Sequence, residues 1–189
     1  MLTDVLTALH EWQNRPKVAI VTSEPCATKL ARDYQFEVIP DPDNPGETGA
    51  IEMATRVCVE RGEDSTLVIP ADIPLIQPWE LEEIYKHAPA QGTVLVPAGD
   101  GRGTNAVLRR PANLFPLRFG NDSFKPHHAV ALAAGKPCIV LSLPGIAVDV
   151  DRPPDLRQLL SLPGETHAQR LARSWNLPAR MFAAHPDTV

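Results

Sequence analysis

The chain has 189 residues, 43% of them hydrophobic, and a formal net charge of −5. That length and apolar content suit one packed domain, and the acidic balance speaks against a nucleic-acid-binding surface. No apolar run reaches membrane-spanning length, and the opening MLTDVLTALHEW lacks the basic region and cleavage pattern of a signal peptide, so the expectation is a cytoplasmic protein with no membrane or nucleic-acid partner.

In chain order, Leu2, Val5, Leu6 and Leu9 recur at helical spacing within residues 1–14. Lys17–Thr22 (KVAIVT) is a continuous apolar run, as in a strand covered on both faces. Ser23-Glu24-Pro25 opens a helix to about Asp33, and Phe36–Ile39 is a second strand. The loop PDPDNPGETG leads to a helix over about Ala50–Glu60, followed by a strand at Thr66–Ile69. Pro78–Lys86 reads as a helix with proline in its first turn and early acids, and Thr93–Val96 as a strand. Gly101–Phe124 then joins a glycine-rich turn, a short strand Asn105–Leu108 and the loop FGNDSF, which opens a helix to about Ala134. Ile139–Leu141 and Ile146–Val150 are the last strands, and Pro153–Leu160 is a closing helix. A tail over 162–189 follows, with room for a short helix at Thr166–Trp175. The 20 prolines punctuate loops, and Cys26, Cys58 and Cys138, without C-x-x-C spacing, read as reduced thiols.

Alternating helices and apolar strands predict a three-layer α/β/α domain over 1–161 with a mostly parallel sheet. Ligands of such sheets sit beyond the carboxyl ends of the strands. Asp72 in PADIP and Asp149 in AVDVD fall at such ends. Asp149 and Asp151 are two apart, so an extended segment sends both carboxylates to one side, where they can hold a hard cation that also takes phosphate oxygens. Equally, Asp151 can cap the helix that opens at Pro153, and Asp72 can be a turn aspartate bonding its own backbone. Gly101, Gly103, Thr104 and Asn105 can bring N–H groups and a hydroxyl to an anion, or form a hairpin-like turn. Ser123 heads a helix whose free N–H groups attract anions, or merely caps it. His127 and His128 read as surface or packed imidazoles rather than ligands, and no nucleophile–base pair is legible.

PADIPL, GTNAVLRRP, FPLRFGNDSFKPH and PGIAVDVDRPPDLRQLL resemble, in order and spacing, segments of the 2-phospho-L-lactate/phosphoenolpyruvate guanylyltransferases, which make an early intermediate of the deazaflavin coenzyme F(420). The resemblance runs from about Leu2 to Leu160. It implies a glycosyltransferase-A-like nucleotidyltransferase fold, with Mg²⁺ held at the catalytic centre by Asp72, Asp149 and Asp151. It also implies a phosphorylated three-carbon acid held by Thr104, Gly120 and Ser123, and Asn105 of the same G-T-N segment joins them in the substrate site. The implied partners are GTP and phosphoenolpyruvate or 2-phospho-L-lactate, GMP being transferred and pyrophosphate released. A homo-oligomer is left open.

Two segments depart from the family. Its opening strand with a P-V-K…A-K-x-R-L triphosphate loop has no counterpart here, and its G-L-N segment is replaced around Pro45–Ile51 by PGETGAI. The expectation is therefore an N-terminally truncated version of the fold. The alternatives are a non-catalytic remnant that binds phosphorylated acids or a protein partner, and a molybdopterin- or sugar-type nucleotidyltransferase on the same fold. GTNAVLRRP and FGNDSF argue against the second of these.

Overall fold

The computed structural model describes residues 1–43, 46–120 and 122–177; Pro45 of the PGETGAI segment, Asn121 of FGNDSF and the tail beyond 177 lie outside them. The elements are α1 (Leu2–Glu11), β1 (Ala19–Thr22), α2 (Pro25–Asp33), β2 (Glu37–Pro40), α3 (Glu47–Glu60), β3 (Thr66–Val68), α4 (Pro78–Lys86), β4 (Gly92–Pro97), β5 (Thr104–Arg110), α5 (Phe124–Ala133), β6 (Cys138–Val140), α6 (Pro153–Ser161) and α7 (His167–Ser174). One expected element is corrected. Ile146–Val150 is not a strand, because its backbone groups bond to loops and not to a strand edge. Ala147 N–H donates to Leu143 O, Gly99 N–H to Ala147 O at 2.7 Å, and Val150 N–H to Asp72 O at 3.1 Å. Asp149 therefore sits on a turn stitched to the loops after β3 and β4.

The strands form a two-stranded parallel sheet, β1-β2, and a four-stranded sheet in the order β3-β5-β4-β6. Within the larger sheet β5 is antiparallel to both β3 and β4, while β4 and β6 are parallel. Only β5 is reversed there, as a hairpin partner of β4 must be. Side chains alternate across it: Val94, Val96, Ala106 and Leu108 pack with α1 and α4, whereas Leu95 and Val107 pack with Phe115, Leu117 and Ala131 of α5. Both faces are covered, which gives the expected three layers.

β1 and β3 do not pair. A slot of about 1070 Å³ separates them, lined by Ile20 and Thr22, by Thr66 and Val68, and by α1 and α3 on its two faces. The Lys17–Glu63 ion pair at 2.6 Å joins the entry ends of β1 and β3 across it. The chain's last described helix docks back on its first: buried Asp4 accepts from the N–H groups of His167 and Ala168 at the head of α7, where a carboxylate also suits the helix dipole. Among the described residues no helix is long and apolar enough to cross a membrane.

Candidate active site

At the exit ends of β3 and β4 a cleft of about 730 Å³ brings together Asp72, Thr104, Asn105, Gly120, Ser123, Asp149 and Asp151. All seven sequence-predicted residues line this one space, with Glu47, at the first turn of α3, added to them.

The acidic side carries internal repulsion. Asp72 is half-buried, and its Oδ1 is buried without a hydrogen-bond partner. Burial, then the nearby charges of Asp151 and Asp149, push its carboxyl up to about 6. Burial, then Asp72 and Asp151, raise Glu47 as well. Asp151 does not cap α6. Asp155 does so, its Oδ2 accepting from Arg152 N–H at 2.8 Å and from Asp151 N–H at 3.3 Å, so the Asp151 carboxylate stays with the cleft.

Asp149 is placed from below. Asn105 Nδ2 donates to Ile146 O at 2.8 Å and to Asp149 Oδ1 at 3.2 Å. The same turn is anchored by the fully buried carboxylate of Glu80, which accepts from Gly145 N–H at 2.7 Å, Ile146 N–H at 3.4 Å and Gln77 N–H at 2.9 Å. Glycine is required at position 145, because a Cβ there would lie 2.4 Å from both Glu80 Oε2 and Leu75 O.

The opposite side is polar and small. Ser123 stands at the head of α5 but makes no side-chain cap bond; its hydroxyl donates to Thr104 Oγ1 at 3.2 Å. Gly120, at φ +125°, has nothing within 4 Å of where a Cβ would stand, so its backbone is open to the cleft. The G-x-G segment is the hairpin turn of its two readings. Asp100 Oδ1 takes the N–H groups of Arg102 and Gly103, and Ala98 N–H bonds Gly103 O. Those donors are spent within the turn. At the rim, exposed Arg102 pairs with Asp122.

These residues fit a divalent cation. An orphaned carboxylate oxygen on Asp72, set beside the charges of Asp151 and Asp149, is what such an ion relieves. Among the described residues no three His, Cys, Asp or Glu side chains stand close enough to form a ready-made metal cage. Sequence reasoning missed Glu47 and Glu80, while His127 is a packed, fully buried imidazole, one of its two expected settings. The Gln77–Glu80 capping box at the head of α4 was a readable signal for Glu80; Glu47 had none.

Residues 1–182 match the family described as guanylyl transferase CofC like. A phosphoenolpyruvate guanylyltransferase of Conexibacter woesei is 32% identical over 86% of this chain and 74% of its own length. A 3-phospho-D-glycerate guanylyltransferase of Colwellia psychrerythraea is 31% identical over 92% of this chain and 83% of its own. A crystal structure from Desulfovibrio desulfuricans, described as a nucleotide-diphospho-sugar transferase, superposes with a TM-score of 0.74 over 96% of this chain and 82% of that one, at 16% identity. That likeness shows a shared fold.

Proposed function

The chain belongs to the guanylyl transferase CofC-like family, and on that premise we propose that it transfers GMP from GTP to the phosphate of a three-carbon acid. An oxygen of the acid's phosphate attacks the α-phosphorus in line, the bond to the β-phosphate oxygen breaks, and pyrophosphate leaves. The observation that carries this reading is the meeting, in one cleft, of Asp72, Asp149 and Asp151 with Thr104, Asn105, Gly120 and Ser123.

Asp72, Asp149 and Asp151 would hold Mg²⁺. When bound, the ion screens the phosphates and stabilises charge on the leaving pyrophosphate. Asn105 keeps Asp149 aimed at the cleft. Thr104 offers its hydroxyl and Gly120 a bare backbone to the acid, and Ser123 stands beside them with its own hydroxyl donating to Thr104. Its phosphate is already ionised at neutral pH, so the residues act by positioning and need not remove a proton.

The names of the relatives, one acting on phosphoenolpyruvate and one on 3-phospho-D-glycerate, support the three-carbon acid class. We assign the reaction to an early step of coenzyme F(420) biosynthesis, with phosphoenolpyruvate or 2-phospho-L-lactate as acceptor. The test is mass spectrometry of products after incubation with Mg²⁺, GTP or ATP, and each of phosphoenolpyruvate, 2-phospho-L-lactate, 3-phosphoglycerate and a hexose 1-phosphate. A guanosine-diphospho-linked acid plus pyrophosphate is expected. A nucleotide–sugar adduct, or no adduct with any pair, would overturn the reading.

A further inference from the structure

His127 lies on α5 and is fully buried. Its Nε2 receives the backbone N–H of Arg118 at 2.8 Å. A backbone N–H can only donate, so Nε2 is the bare nitrogen and the ring proton sits on Nδ1. Nδ1 stands 3.0 Å from Thr104 Oγ1 and so donates to it. Ser123 donates to the same oxygen. A hydroxyl oxygen has two lone pairs, and here both are taken. What Thr104 has left is its own proton, on a residue that lines the cleft beside Ser123 and Gly120.

We propose that His127 is a positioning residue: by filling a lone pair of Thr104, it fixes that hydroxyl as a pure hydrogen-bond donor toward an acceptor-only oxygen of the bound acid. This rests on the reading of the cleft as the acid's site. The chain of bonds runs one way, from Arg118 N–H through the imidazole to Thr104 and out to the ligand. At Thr104 it selects an ionised phosphate or carboxylate oxygen and leaves no acceptor there for a ligand hydroxyl or amine. Phe119 packs edge-on against the imidazole with centroids 5.0 Å apart, which holds the ring plane. Burial, then the charge of Arg109, push the imidazole down to about 4, so it is neutral at working pH and the tautomer is fixed by its partners alone.

Two substitutions separate relay from packing. His127→Asn can place an amide N–H near the Nδ1 position and keep the bond to Thr104. His127→Gln can place an oxygen near the Nε2 position and keep only the bond from Arg118. Binding of phosphoenolpyruvate and of GTP, each with Mg²⁺, is measured by calorimetry for both variants, for Thr104→Val and for the unaltered protein. The expected result is about a tenfold weaker acid for His127→Gln and Thr104→Val, a loss of less than threefold for His127→Asn, and GTP unchanged throughout. Equal losses in the two His127 variants, or none in either, would overturn the proposal while Thr104→Val still supports the site. If Thr104→Val binds the acid normally, or the unaltered protein does not bind it, the reading of the cleft fails and this proposal with it. Independently of any substitution, the ¹⁵N shifts of the His127 ring should report the Nδ1–H tautomer; the Nε2–H tautomer would overturn the relay.

Discussion

Asn105 and Asp149 are 44 residues apart in sequence and 3.2 Å apart in space, Nδ2 to Oδ1. The same amide nitrogen also holds Ile146 O at 2.8 Å. One side chain on a rigid central strand thus sets both the turn and the carboxylate it carries. The carboxylate itself sits on a loop. Its precision comes from β5.

Asn105→Ala should weaken Mg²⁺ binding about tenfold, since a hydrogen bond to a charged group contributes about 1.5–3 kcal/mol and part of that is recovered by water. Asn105→Leu, which also removes the donor, should do the same. Calorimetric titration with Mg²⁺ checks both; unchanged affinity in both variants would show that Asp149 needs no tether.

Asp72→Asn and Asp149→Asn should each abolish Mg²⁺-dependent turnover. In the metal-free protein Asp72→Asn should also raise the Tm at pH 8. The sign follows from its carboxyl being raised from 3.8 to about 6. The folded state holds the ionised form less well than the unfolded chain does, so above pH 6 that ionisation opposes folding in full. Activity lost with stability gained would mark a residue kept for its chemistry. Turnover retained by both variants would remove the metal assignment.

Glu80→Ala should cost about 2–4 kcal/mol, because it strands the N–H groups of Gln77, Gly145 and Ile146. Glu80→Gln keeps one acceptor oxygen and should cost roughly half as much. Chemical denaturation measures both. A loss below about 0.5 kcal/mol for the alanine variant would mean that water replaces the carboxylate.

Acid should destabilise the protein partly through His127. Its folded pKa is about 4, against an ordinary 6.5, so the unfolded state binds the proton first as pH falls. Stability from this group is intact above pH 6.5, declines between 6.5 and 4, and levels off below. The full window amounts to about 3 kcal/mol at most. A shallower decline between pH 6.5 and 4 is expected for His127→Asn. Identical pH profiles would show that another group carries the acid sensitivity.

The elements that were legible in the sequence are those whose local pattern agrees with their tertiary setting. KVAIVT and TVLV are apolar on both faces because helices cover both faces, and Pro78–Lys86 carries its own start signal. Ile146–Val150 misled because an apolar run of strand length says nothing about whether an edge is free to pair. Here Gly99 and Asp72 supply the backbone partners instead. In the site, the aspartates and small residues were legible as chemistry on loops. Glu80, which anchors the turn that carries Asp149, was not, since a buried carboxylate acquires its role from N–H groups as far as 65 residues away in sequence.

The slot between β1 and β3 has a mechanical consequence. Among the described residues no ladder crosses it, so the β1–β2 ribbon and α2 are carried by α1, α3 and exposed ion pairs such as Lys17–Glu63, contacts that shear more readily than a continuous run of backbone bonds. Amide hydrogen exchange should therefore divide the molecule. β4 and β5 should open only with the whole domain, while β1 and β2 should exchange earlier as one cooperative unit, and sooner still at high salt. The two facing rims also present unpaired strand edges, the pattern that invites intermolecular pairing. At high concentration, association of chains through that seam is expected, read as a rise in mass by light scattering.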